Sequence, residues 1–492
     1  MKKVFKYSFP VLLTAVTIFS SCKKFLAEDP KNLVAVTNFY KTENDAVASV
    51  NAIYAYLNST STGSTAGVYH STFWVIAGCA SDEMNNESIF WPDIDQISKF
   101  SEGPINNGLE ETWTMHYKAI TLANIAIARI PGIQMDATLK TRLINEAHFL
   151  RGLLYFDMVR MFGSVPLVLQ EEEPLTPEPA TAAAIYDQVI QDLTVAEDLP
   201  ASYDPGNGRG RATNGAAKAI LAKVYLTLER WQDCANTCNE IIQSNQYALW
   251  DDFADVFKLS SRGGKEAIFS VGFGDAGGAI IFWEVGQFNV RLLPPQLAVE
   301  GVQNSQGWQV PTQNLYDQYD LDDRRRAVTY ITEINNPNGT VTDIKPYIQK
   351  YWDRAAEPQG NGSANDYPVI RYADVLLMYA EAENELGNSA DAHTYINIVR
   401  KRARFNGIED LPTVPDYENL SKDVFRAVVL NERRLEFVAE GQRWFDLVRT
   451  HTLEKLVPLA KSGITPQQKH YLFPIPQHEI DLNPKLVQNA GY

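Results

Sequence analysis

The chain has 492 residues, 45% of them hydrophobic and 11% aromatic, which allows a large core and roughly two to four domains. Its formal charge is −16. Phosphate binding needs clustered Lys and Arg, so this balance argues against a nucleic-acid partner and against a basic patch gripping anionic lipid.

At the N-terminus, Lys2, Lys3 and Lys6 precede a short apolar run, Val11–Phe19, which leads through Ser20 and Ser21 to Cys22. That order predicts a secretory signal over residues 1–21. A cysteine at the cleavage point predicts a lipid on its thiol and a mature chain that starts at Cys22. The apolar run falls short of the about 20 residues that a spanning helix needs. Losing residues 1–21 takes three lysines and no acid from a total of −16, leaving about −19. There is no second long apolar stretch, so the chain is expected to be anchored to a membrane without crossing it.

Residues 22–40 read as a tether. Thr42, with Glu43 and Asp45 behind it, starts a helix that runs to about Leu57. From Val68 to about Gly108 the pattern breaks up into a long polar and aromatic excursion holding Trp74, Asp82-Glu83, Asn85-Asn86 and Phe90-Trp91. Long loops inside a domain are often functional, and the aromatic content argues against disorder. Helix returns over 110–130. It returns again where Leu139, Leu143, Ala147, Leu150, Leu154 and Met158 repeat at threes and fours, until Gly163 stops it. Thr181 caps a further helix to about Glu197. Residues 213–246 and 371–404 each hold a helix, a tight turn and a second helix in a unit of 34 residues, the tetratricopeptide period. Generic helical hairpins are the plainer alternative; either way, pairs stack into a scaffold. Residues 250–367 do not fit it. They carry a strand-like run, Glu266 to Val271, then glycines and the aromatics Phe282, Trp283 and Trp308. Long helices resume at 372–385, 389–404, 421–440 and 441–452.

Little catalytic chemistry suggests itself. Gly272-x-Gly274-x-x-Gly277 follows a strand but opens no helix, so a flexible loop accounts for it better than a dinucleotide site. Asp82-Glu83 has the residue types for glycoside cleavage, but adjacent acids more often cap a helix or face water. The seven histidines show no metal-ligand spacing, and no cofactor is expected. Cys79, Cys234 and Cys238 are odd in number, so at least one thiol is free or bonded to another molecule. Cys234 and Cys238 share a helix face and read best as small core residues. The aromatics of the irregular regions remain. Trp91, Phe282, Trp283 and Trp308 offer flat, rigid surfaces for stacking on sugars or gripping peptides, with Asn85, Asn86, Gln287 and Asn289 as hydrogen-bonding neighbours. The alternative for each tryptophan is that it pins its loop to the scaffold. Trp113, Trp231, Trp352 and Trp444 lie in or near helices and read as structural.

The C-terminal half carries a family resemblance. Asn431-Glu-Arg-Arg-Leu-Glu436-Phe, Glu440-Gly-Gln-Arg443-Trp444-Phe445-Asp446 and Tyr471-Leu-Phe-Pro474-Ile475-Pro476 resemble the SusD/RagB family. So do Arg371-Tyr-Ala-Asp374, Asp323-Arg-Arg325, Phe149-Leu-Arg151 and Cys22-Lys-Lys-Phe25-Leu26. The resemblance implies an outer-membrane lipoprotein facing the cell exterior. It implies a mainly α fold in which tetratricopeptide-like helical pairs carry an irregular, loop-rich, minor-β ligand-binding lobe. It further implies that the chain binds a glycan, or sometimes a peptide, without altering it, and works with a SusC-like TonB-dependent β-barrel transporter; a glycan-degrading enzyme is the lesser alternative. The expected division is a signal at 1–21, a lipidated tether at 22–40, helical halves at 41–250 and 368–492, and the lobe at 251–367. In this family reading Glu432, Arg433 and Arg443 are buried or helix-joining ion pairs, and no motif assigns the ligand residues.

Overall fold

The computed structural model describes residues 39–58, 67–172, 174–203, 209–274, 285–302, 305–356, 362–405, 408–411 and 413–492. Helix makes up 54% and strand 9%, so the fold is mainly α with small sheets. The helices begin where the sequence supplies acceptors for their free N–H groups. Thr42 Oγ1 accepts from Asp45 N (3.3 Å) while Asp45 Oδ2 accepts from Thr42 N (2.8 Å), a reciprocal box that opens Glu43–Asn58. Asn106, Asp136, Thr181, Thr213 and Ser421 cap Asn107–Arg129, Ala137–Phe162, Ala182–Ala196, Asn214–Thr227 and Lys422–Glu436 in the same way. Glycines with positive φ end two of them, Gly163 (+73°) after Ala137–Phe162 and Gly387 (+89°) after Tyr372–Leu386.

These helices stack in chain order. Asn107–Arg129 packs on Ala137–Phe162, that on Ala182–Ala196, and so through Asn214–Thr227 to Trp231–Gln243. The stack then skips well over a hundred residues, because Trp231–Gln243 packs on Tyr372–Leu386, which pairs with Ser389–Arg404 and Lys422–Glu436. Both 34-residue units are therefore helical pairs and lie side by side. Cys234 and Cys238 are buried in the first; burial pushes the Cys238 thiol well above its ordinary value.

The region 68–108 is not the loop its sequence predicts. It contains a fully buried helix, Thr72–Cys79, the strand β1 (Met84–Asn86) and the helix Pro92–Ser98. Every residue of TFWVIAGC is buried, so no polar face exists to give the run a helical period. Among the described residues there are three two-stranded antiparallel sheets. β1 pairs with β3 (Gln309–Pro311), β2 (Ala267–Val271) with β6 (Tyr367–Arg371), and β4 (Tyr330–Asn335) with β5 (Val341–Ile348).

Buried charge joins the strands of the lobe to the C-terminal helices. Arg371, at the end of β6, contacts Glu266 (2.8 Å), Glu436 (2.6 Å) and Glu440 (2.9 Å). Arg325 contacts Asp323 (2.8 Å), Glu432 (2.6 Å) and Glu436 (3.2 Å). Arg400, Arg402 and Lys350 complete a set of five cations with the five acids Glu266, Asp323, Glu432, Glu436 and Glu440. Arg433 bridges Asp374 (2.6 Å) and Asp446 (2.8 Å). Equal numbers of opposite charges, each hydrogen-bonded, are the condition under which buried ions are tolerated.

Candidate functional site

The strand pair β1–β3 brings two distant tryptophans together. Its register sets Asn85 opposite Val310 and Asn86 opposite Gln309, residues from segments 223 positions apart. The ladder extends one step further, Glu87 N donating to Trp308 O (2.7 Å). Trp91 immediately precedes Pro92, which keeps it out of helical backbone (φ −131°, ψ 69°), so the helix begins after it. The two indoles meet edge to face, centroids 6.5 Å apart and planes at 63°. Both are half-buried.

Arg291, from the short helix Phe288–Leu292, lies against the pair, its guanidinium carbon 4.0 Å from the Trp91 ring centre and 5.3 Å from that of Trp308. Contacts of this kind are worth about 1–2 kcal/mol when desolvated. Nη2 donates to Ser71 Oγ (3.0 Å), while Nε and Nη1 have no hydrogen-bond partner among the described residues. Burial pulls the Arg291 pKa down to about 9, opposed by the Glu111 carboxylate. Beside the tryptophans, Ile89 and Phe90 are 85% and 75% exposed, and Glu87 pairs with Lys345 at the rim. Exposed apolar side chains beside half-buried indoles give this surface an apolar character.

The asparagines divide by strand alternation. Asn85 projects to the same face of the ladder as Glu87 and Trp308, is half-buried, and its amide makes no hydrogen bond among the described residues. Asn86 points the other way and is buried. It accepts from Gln309 Nε2 (3.1 Å) and donates to Ser88 O (3.2 Å), holding the turn that presents Trp91. Asn289 is likewise internal, exchanging two bonds with the Asp353 backbone (2.9 and 3.0 Å), and Gln287 is buried. Cys22, Phe282 and Trp283 lie outside the described residues. Arg291 is the member of this group that sequence reading missed; nothing around it in the chain distinguishes it.

Asp82 and Glu83 neither cap a helix nor face water. Arg443 donates to Asp82 through Nε (2.7 Å) and Nη2 (2.9 Å), and Arg434 lies 3.2 Å away. Burial works against ionisation there, but the two guanidiniums outweigh it and hold the Asp82 carboxyl at about 2. Glu83 accepts from the Ala439 N–H, and burial pushes its pKa up to about 7. Both carboxyls tie the excursion to the C-terminal helices. Trp74, Trp113 and Trp444 are buried in the core.

Residues 304–492 match the family model described as the SusD family, and residues 24–226 match one described as starch-binding associating with outer membrane. SusD-like protein P25 from Formosa agariphila is 30% identical, over 98% of this chain and 99% of its own. SusD-like protein P2 from the same organism is 29% identical over 100% of both chains. Among solved structures, a laminarin-binding SusD-like protein is similar with a TM-score of 0.76 at 27% identity, covering 92% of this chain and 100% of its own.

Proposed function

The chain belongs to the SusD family, and from that premise we propose that it captures an oligosaccharide at the cell surface on the Trp91–Trp308 pair and passes it to a SusC-like TonB-dependent β-barrel transporter. The observation that carries the reading is the meeting of two half-buried indoles from distant segments, with Phe90 and the unbonded Asn85 amide beside them. Indole faces suit the apolar faces of pyranose rings, and an amide suits their hydroxyls. The laminarin-binding relative makes a β-glucan the first ligand to try. In this reading the chain binds without cleaving, since Asp82 and Glu83 are engaged by Arg443, Arg434 and Ala439. Cys22 supplies the lipid anchor in the outer membrane, residues 22–40 the tether, and the lobe at 251–367 the Trp308 half of the site. Trp283 and Phe282 stay ligand-binding candidates on residue type alone.

Calorimetric titration of the mature chain with laminari-oligosaccharides and a panel of other neutral glycans tests this. Trp308→Ala is expected to weaken binding by roughly tenfold or more, the worth of one stacked aromatic. Its melting temperature should stay close to that of the parent, because the ring is only partly buried. Unchanged affinity in both Trp308→Ala and Trp91→Ala would sink the assignment.

A further inference from the structure

Arg291 is an exception among the arginines that this protein buries. Among the described residues every other buried arginine holds a carboxylate at 3.2 Å or closer, as Arg151 holds Asp192 (2.7 Å) and Arg443 holds Asp82 (2.7 Å). Arg291 is 9% exposed and has no carboxylate within ion-pair distance among the described residues. The acid that acts on its charge, Glu111, accepts from Thr72 Oγ1 instead (3.2 Å). One of its nitrogens, Nη2, donates to Ser71 Oγ (3.0 Å), while Nε and Nη1 have no hydrogen-bond partner among the described residues. Burial pulls its pKa down to about 9, which still leaves it charged at neutral pH. An uncompensated buried cation costs a fold more than one hydrogen bond to a hydroxyl returns. Packing alone therefore does not account for an arginine at this position.

Its surroundings do. The guanidinium carbon lies 4.0 Å from the Trp91 ring centre and 5.3 Å from that of Trp308, so one cation touches both indoles. The base of the side chain is fixed. Phe288 stacks on Tyr351 (4.1 Å between centroids) and on Trp74 (5.2 Å). Asn289 exchanges two bonds with the Asp353 backbone (2.9 and 3.0 Å). Val290 O accepts from Gln306 N (2.7 Å), two residues before Trp308. The rings themselves are only half-buried and come from irregular segments. Left loose, each would lose side-chain freedom when a ligand stacked on it, and that loss would weaken binding. A fixed cation against both rings removes the freedom beforehand.

We propose that Arg291 is the positioning residue of the ligand platform, holding Trp91 and Trp308 in their edge-to-face arrangement before a ligand arrives. This rests on the reading of the indole pair as the glycan-contact surface and adds the device that pre-organises it.

The experiment compares the parent mature chain with Arg291→Met, which fills similar space without charge, and Arg291→Lys, which keeps the cation. Each is titrated calorimetrically with laminarihexaose, melted, and examined by near-ultraviolet circular dichroism. The Met substitution is also made in a Trp91→Phe/Trp308→Phe background, because the chain has nine tryptophans. Arg291→Met should bind laminarihexaose roughly tenfold more weakly. Its melting temperature should stay close to that of the parent, since the lost ring contacts are offset by removal of an unpaired buried charge. Arg291→Lys should recover part of the affinity. The tryptophan signal should change on Arg291→Met in the parent and stay unchanged in the background lacking both indoles. Unaltered affinity in Arg291→Met, or an unaltered tryptophan signal, overturns the proposal and leaves glycan capture standing. A melting temperature lowered enough for unfolded chain to account for the lost binding makes Arg291 a packing residue and also overturns it. A parent that does not bind laminarihexaose counts against the ligand reading separately, and the tryptophan signal then decides by itself whether Arg291 orients the indoles.

Discussion

Glu83 is fully buried, yet one of its closest partners is a backbone N–H and not a cation, and burial lifts its carboxyl from an ordinary value of 4.5 to about 7. The folded protein therefore holds this proton up to about pH 7, while the unfolded chain releases it near 4.5. Folding is favoured less as pH rises between those values, by on the order of 3 kcal/mol in all. Glu83→Gln keeps an acceptor for Ala439 N–H and removes the ionisation. Its stability relative to the parent is expected to change little below about pH 4 and to grow from there until about pH 7.5, as read by urea unfolding across that range. A flat difference would mean that Lys350 and the neighbouring guanidiniums already compensate the charge. The contrast with Asp82, one residue earlier, is instructive. Two guanidiniums hold that carboxyl near 2, so Asp82→Asn should weaken the protein throughout the neutral range and lose its effect only below about pH 4. Two adjacent acids thus contribute to stability with opposite pH dependence, a difference set by partners that lie some 360 positions away.

At the scale of elements, what could be read from sequence was what the chain encodes locally. Thr42, Thr181, Gly163 and Gly387 mark helix ends, and the structure places ends there. Thr72–Cys79 escaped because a helix buried all round has no polar face, and β1 and β3 because three residues carry too little alternation to detect. Trp91 and Trp308 stood out as aromatics in irregular sequence, but their meeting depends on that undetected strand pair. Asn86 was legible as a polar neighbour and not as the residue holding the turn, since strand alternation alone decides which way it points. The turn between Lys422–Glu436 and Arg443–Arg449 shows what the family motif Glu440-Gly-Gln-Arg443 contributes. Gly441 adopts φ +68°, and a Cβ there would stand 2.6 Å from Tyr367 Oη and 3.1 Å from Trp74 Cβ. Tyr367 Oη also donates to Glu440 O (3.0 Å), so the ring cannot retreat without breaking that bond. Gly441→Ala is expected to cost about 2–4 kcal/mol from left-handed strain and overpacking together. Gly103→Ala, at a glycine with open space around it, should be nearly neutral in the same thermal melts. Equal melting of the two variants would show that the turn can re-form around a side chain.

The molecule as a whole is acidic, and the tryptophan pair is a local departure from that average. The pair is apolar, with the buried Arg291 against it and the Glu87–Lys345 ion pair at its rim. The pair supplies no means of staying at a membrane. No helix among the described residues is long and apolar enough to cross one. A net charge of −16 is repelled by anionic headgroups. Retention at the outer membrane therefore falls to the Cys22 lipids in this reading. A single acyl chain binds reversibly, whereas several chains on one residue hold firmly. From Cys22 to Phe39 the chain can reach at most about 60 Å. Cys22→Ala should accordingly shift the protein from the membrane fraction to the soluble fraction while leaving the oligosaccharide affinity of the purified body unchanged. If delivery runs through a transporter as proposed, growth on the captured glycan should fall even though binding is intact. Retention of Cys22→Ala in the membrane fraction after a high-salt wash would assign anchoring to a protein partner instead of the lipid.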